Sequence, residues 1–355
     1  MFKPFAKVII LIALIAMVSA CSPAQPAPTP VPPPSVAAPT PVINAETVAA
    51  LDLPNSFVNT VVFSPDGRTL ITGDLNGEVL LWDRETWAKT VFAPARSTRA
   101  ADIAANIAYW GTLALSPDGS VIVTAYGDNG EVSGRDLEGK ELFAFSYGAR
   151  VYSVAISPDG KFLAVGGLKT NVIVFDLETR QPAADLPSDR EQIMALVFSP
   201  DGKTLLANYR LPEPEHIFTI WDTATWQATD TLNPAIAPGN GFHDAVFSPD
   251  GKELAVASTE VAEIKFLDLA TRKIVREFPE HTRASYQIAF SPDGSLLASV
   301  GDDGTLRLWD MKTGVNVKTI RFPRREVGAV AFSPDGALIA FSVWGQGVQV
   351  WAVKR

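Results

Sequence analysis

The 355-residue chain has one cysteine, three histidines and no uninterrupted apolar run longer than the eleven residues from Val8 to Val18. A lone Cys21 permits neither an internal disulfide nor a Cys-rich metal cluster, so stability has to come from packing. Three histidines leave few combinations for a metal site, and neither metal nor cofactor is expected. Positive charge is also short, with 30 Lys and Arg against 39 Asp and Glu. That balance argues against a nucleic-acid partner, which needs clustered cations on one face. No GxSxG elbow, P-loop or HExxH motif occurs. Helical periodicity is scarce too; residues 99–109, with Ile103 and Ile107 one turn apart, could form a short helix. What the chain has instead is 47% hydrophobic residues, too many for a disordered protein.

Lys3 and Lys7 precede the apolar run, and Ser19 and Ala20 stand directly before Cys21. Eleven residues are too few for a lasting transmembrane helix, which needs roughly 20, but they suit the central region of a signal peptide. Val18-Ser19-Ala20-Cys21 resembles the lipobox of bacterial lipoproteins. The resemblance implies removal of residues 1–20, a lipid-modified Cys21 at the new N-terminus, and attachment to the cell membrane or outer membrane, facing the periplasm or the exterior. Ser22 stands where many such proteins carry an inner-membrane retention aspartate. Each buried CH₂ of an acyl chain contributes about 0.8 kcal/mol, so lipid can anchor a body that its own acidity would push from anionic headgroups. Residues 21–42 are rich in Pro and Ala, include Pro32-Pro33-Pro34 and lack charge. They read as an extended linker at about 3.1 Å per residue.

Beyond residue 43 one tetrapeptide recurs seven times, Ser-Pro-Asp-Gly starting at Ser64, Ser116, Ser157, Ser199, Ser248, Ser291 and Ser333. The spacings average about 45 residues, the period of four-stranded propeller blades. Pro sets φ for the second position of a type I turn, Asp tolerates the third, and Gly takes the left-handed conformation that returns the chain. Short apolar runs such as Thr60 to Phe63 and Thr69 to Thr72 flank the turns, as strands sandwiched between neighbouring sheets would be. An all-β seven-bladed propeller is expected.

Eighteen or nineteen residues after most of these serines comes an aromatic, usually followed by Asp: Trp82-Asp83, Phe175-Asp176 and Trp309-Asp310, with Trp221-Asp222 delayed by an insertion. These residues resemble the WD-repeat family of β-propellers. In the sixth unit the resemblance implies a structural tetrad of His281, Ser299, Asp303 and Trp309. Elsewhere the histidine position holds Pro54, Asn106, Tyr147, Asp189, Pro238 and Pro323; Leu267 replaces one aromatic, and Gly134-Arg135 occupies another aromatic region. After Trp351 too little chain remains for a fourth strand. Val48, Leu51, Leu53 and Pro54 align with Val317, Ile320, Phe322 and Pro323 of an ordinary outer strand, so residues 44–53 are expected to complete the blade built by 327–355.

Ser299, His281 and Asp303 are also the residue types of a catalytic triad, but the tetrad reading takes precedence. Pro212-Glu213-Pro214-Glu215-His216 could bind a metal, yet spacing supplies no further ligand and a stiff solvated loop is expected. Gly127-Asp128-Asn129-Gly130-Glu131 lacks the remaining positions of a calcium loop and reads as a tight turn. Insertions near residues 93–108, 208–216 and before Phe242 all fall on one face of a propeller. Loops on a rigid scaffold are where binding resides. A protein or peptide partner is expected there, on Arg96, Arg99, Tyr209, Arg210 and Trp344, with the body a monomeric, noncatalytic scaffold. The rival is an enzyme using the central channel, for which the sequence offers Arg150, Gln192, His243 and Glu326. A third reading has an envelope propeller docking onto other lipoproteins or cell-wall components.

Overall fold

The computed structural model describes residues 44–354, apart from 55, 95–112, 128, 169–170, 188–191, 211–216, 233–241, 259–262 and 279–280. The chain divides into Met1–Pro39 and Thr40–Arg355. The expected leader, Cys21 and the linker therefore lie outside the described residues, as does the helix anticipated at 99–109.

The described residues form seven four-stranded antiparallel sheets, the blades of a propeller. In blades 1 to 6 the strands run in chain order from the channel outward. Blade 1 is Val58–Phe63, Thr69–Asp74, Val79–Asp83 and Lys89–Ala93, and blade 6 is Ser285–Phe290, Leu296–Gly301, Thr305–Asp310 and Asn316–Arg321. Blade 7 takes three strands from the end of the body, Val327–Phe332, Leu338–Val343 and Gly347–Lys354, and its outer strand from the beginning, Asn44–Asp52. The register runs from Asn44 opposite Lys354 to Asp52 opposite Gly347. Leu51 and Leu53 are buried against Leu338, Val348 and Val350. Val48, aligned with a packing position, is instead 47% exposed. A register shift between Thr47 and Ala49 leaves it without an opposite residue and turns it out.

There is no single central core. Apolar clusters fill the slabs between adjacent sheets, such as Leu306, Leu308 and Ile320 of blade 6 against Val330, Phe341 and Val343 of blade 7. This is why so many strands are apolar on both faces.

Each Ser-Pro-Asp-Gly turn joins the first two strands of its blade. The serine hydroxyl donates to the Asp carboxylate two residues on at 2.5–2.7 Å in all seven copies. It also accepts the backbone N–H five residues on at 2.8–3.0 Å. The turns touch one another as well. A Cβ on Gly160 would lie 3.7 Å from Pro117 Cδ, one on Gly119 3.1 Å from Pro65 Cδ, and one on Gly67 3.7 Å from Pro334 Cδ. The glycine thus supplies positive φ and a flat surface for the proline of the preceding blade, and the last such contact closes the ring.

Candidate functional site

In blade 6, His281 Nδ1 lies 3.2 Å from both Asp303 oxygens and its Nε2 2.7 Å from Ser299 Oγ, while Trp309 Nε1 donates to the same Oγ at 2.9 Å. A neutral imidazole protonated on Nδ1 satisfies the whole row: indole N–H to serine oxygen, serine O–H to Nε2, Nδ1–H to carboxylate. Burial would raise the Asp303 carboxyl, but bonds from His281, Thr305 and the Thr282 amide outweigh it and hold the group well below the usual range. Ser299 is fully buried and His281 4% exposed, so no substrate reaches this hydroxyl. The row ties the connection from blade 5, the second and third strands and the turn between them into one unit. The indole-to-hydroxyl bond recurs in blade 1, from Trp82 to Thr72 at 3.0 Å.

Where the pattern lapses, other residues take over. Tyr147, at a histidine position, donates its hydroxyl to the Asn171 carbonyl at 2.7 Å. In blade 2 the aromatic missing at Gly134 comes from the next strand, since a Cβ on Gly134 would sit 2.2 Å from the Phe143 ring. Phe143 continues into Phe145 and Phe175, which stack at 4.9 Å. These rings line a hollow of about 780 Å³ on the outer side of blades 2 and 3.

Two of the expected partner-binding residues are corrected. Tyr209 is 0% exposed and packs between blades 3 and 4 with Val172, Val174 and Leu186. Trp344 is 8% exposed; its indole stacks on Tyr286 at 5.7 Å, meets Phe57 edge-on at 5.6 Å and donates to the Val58 carbonyl at 3.2 Å. Gly328 makes room for it, because a Cβ there would fall 2.2 Å from the indole nitrogen. Both side chains belong to the packing between blades and neither is open to a partner. Arg96, Arg99 and the 212–216 segment lie outside the described residues. Arg210 pairs through its backbone with Gln192, and its side chain is not described. The 127–131 segment is a turn with left-handed Gly127 and Gly130, Asp128 being outside the described residues.

The inner strands carry a feature that sequence reading missed. Each described inner strand except that of blade 2 has a register shift, as between Phe242 and Asp244 or Ser285 and Gln287. Such bulges re-aim side chains. Here the residue four before the turn serine reaches the next blade: Ser153 Oγ accepts the Leu196 N–H at 2.9 Å, Asp244 Oδ2 the Ile288 N–H at 3.1 Å and Gln287 Oε1 the Val330 N–H at 2.7 Å. The signal was a polar residue recurring at that place in otherwise apolar strands. These strands enclose a channel cavity of about 270 Å³. Of the channel candidates, Glu326 accepts from the Tyr286 hydroxyl at 3.0 Å, and burial raises its carboxyl. Arg150 and Gln192 are half-buried, and the His243 side chain is not described.

The WD40 profile, described as WD domain, G-beta repeat, matches residues 46–83, 139–176 and 272–310. Three stretches of the chain match the WD40 repeat. Each matched stretch begins in the outer part of one blade and ends on the Asp closing the third strand of the next. The repeat is thus out of phase with the blade, which is what leaves an N-terminal strand to complete blade 7. Among similar curated proteins, protein HIR1 of Yarrowia lipolytica is 26% identical over 76% of this chain and 27% of its own length. Serine-threonine kinase receptor-associated protein of Gallus gallus is 25% identical over 58% of this chain and 68% of its own. An uncharacterized WD repeat-containing protein of Synechocystis is 31% identical over 36% and 34%. The chain spans between 20 and 27% of the length of several relatives it matches. WD propellers generally bind proteins or peptides. Among the described residues no group of three or more His, Cys, Asp or Glu could hold a metal, and no helix is long and apolar enough to cross a membrane.

Proposed function

We propose that this protein is a noncatalytic interaction platform, exported and held at a membrane by lipid on Cys21, which binds a protein or peptide through the loops between blades. The observation that carries the reading is the sealing of His281, Ser299 and Asp303: this constellation, with the residue types of hydrolytic chemistry, is closed to solvent and braces a blade. Recognition is left to segments that vary from blade to blade on a frame that does not. Arg96, Arg99 and Arg210 are the candidate contacts, since arginine combines charge with planar, multiply donating geometry.

The test has two arms. Cys21→Ser should abolish incorporation of labelled palmitate and release the protein from the membrane fraction. Crosslinking in intact cells followed by mass spectrometry should capture a partner with the native chain and lose it when Arg96, Arg99 and Arg210 are changed together to Ala. Capture that survives the triple change removes the loop face from consideration, and a palmitate signal that survives C21S removes the anchor.

A further inference from the structure

Asp244 is the one charged side chain among the described residues lining the channel cavity, whose other described walls are hydroxyls, amides and apolar groups such as Met194, Leu196 and Tyr286. Each carboxylate oxygen accepts one backbone N–H, from Ala245 at 2.9 Å and from Ile288 at 3.1 Å. Two amides satisfy part of its hydrogen-bonding capacity and none of its net charge. Among the described residues no cationic group contributes to its environment, and burial drives the carboxyl up to about 6. The Asp244 side chain is half-buried, and a charge withdrawn from water ordinarily sits beside an opposite one, because desolvation is costly without it. The channel instead keeps a carboxylate in a space large enough to admit a second group.

From this geometry we infer that the channel is a socket for one cationic headgroup, an ammonium or guanidinium, with its charge on Asp244 and its alkyl stem along Met194 and Leu196. The cavity falls just below the usual range of small-molecule sites, about 300–1,000 Å³, so it suits one side chain or one small amine rather than a larger ligand. Tyr286, with one ring face on Trp344, and Gln287, whose Oε1 accepts the Val330 N–H, line the same wall. The socket is separate from the loop contacts proposed above and stands or falls without them.

The probes are n-butylguanidinium and n-butylammonium for a free cation, and a Gly-Gly-Arg-Gly-Gly peptide for a side chain; butylurea and the citrulline peptide are their neutral counterparts. The Met194 methyl, labelled with ¹³C, reports occupancy in the native protein, and Met311, packed in the core of blades 5 and 6, is the internal control. Cations should shift Met194 and leave Met311 unmoved, the neutral probes should bind at least tenfold more weakly, and Asp244→Asn should weaken the cations at least tenfold. Binding by the peptide with none by the free cations identifies a partner's side chain as the occupant; the reverse identifies a small amine. An unshifted Met194 at millimolar probe, or equal shifts by charged and neutral probes, overturns the inference. Because those two readouts use the native chain, they hold even if D244N fails to fold.

Discussion

Asp244→Asn should stabilise the propeller at neutral pH, and by an amount that depends on pH. Burial raises the carboxyl from 3.8 to about 6. At about 1.4 kcal/mol per pK unit, the ionised carboxylate costs the native state about 3 kcal/mol at pH 7.5. The folded pKa lies above the unfolded one, so the native state binds more protons between the two values and stability rises as pH falls through that window. By pH 4.5 the cost shrinks to about 1 kcal/mol. An Asn side chain has one acceptor oxygen where the carboxylate used two, and losing one amide bond costs about 1 kcal/mol at either pH. D244N should therefore exceed the native protein by about 2 kcal/mol at pH 7.5 and match it at pH 4.5. Urea unfolding followed by tryptophan fluorescence at both pH values measures the difference. An equal difference at the two pH values, or destabilisation at pH 7.5, would refute the account of Asp244 as a half-buried charge without a cationic partner among the described residues.

Three further predictions concern the frame. Leu51→Ala, 4% exposed in the strand that completes blade 7, should cost about 2–4 kcal/mol by denaturant midpoint, and deletion of residues 44–53 should lower the melting temperature sharply; an unchanged melt refutes the closure. Ser299→Ala leaves the Trp309 N–H and His281 Nε2 without their shared partner and should cost about 1–3 kcal/mol, with partner capture retained once the protein is folded. Gly134→Ala should be strongly destabilising because the new methyl overlaps the Phe143 ring, and Phe143→Ala in the same chain should rescue part of that loss. Additive costs in that double mutant would show that Phe143 does not occupy the place left by Gly134.

The parts of this fold that could be read in the sequence are those set by neighbouring residues. Ser64-Pro65-Asp66-Gly67 and its copies encode their turn locally, through proline φ, a serine-to-aspartate bond and a glycine, so strand positions and blade number follow. Closure was legible because Leu51 and Leu53 repeat the spacing of Ile320 and Phe322. Residues whose place is set from far along the chain were not. Trp344 was expected to meet a partner, but the vacancy that takes its ring is made by Gly328 with Tyr286 and Phe57, on three other segments. Gly134 left an aromatic position unfilled in the sequence because its substitute, Phe143, lies across a hairpin. Asp244 was passed over for its neighbour His243, because only the bulge shows which residue of an inner strand reaches the next blade.

Supplying the outermost strand of blade 7 from residues 44–52 also sets a schedule. Glu46 and Lys354, joined at 2.6 Å, are 308 positions apart, so the clasp cannot form until the chain has been made through Lys354. Until then Leu51 and Leu53 wait uncovered, and the first blades assemble as an open arc with two unguarded sides. Contacts of such range slow the search and prolong exposure to aggregation. Holding the growing arc apart from its neighbours, by chaperone or by low local concentration, should therefore matter more for yield than the final stability of the closed ring.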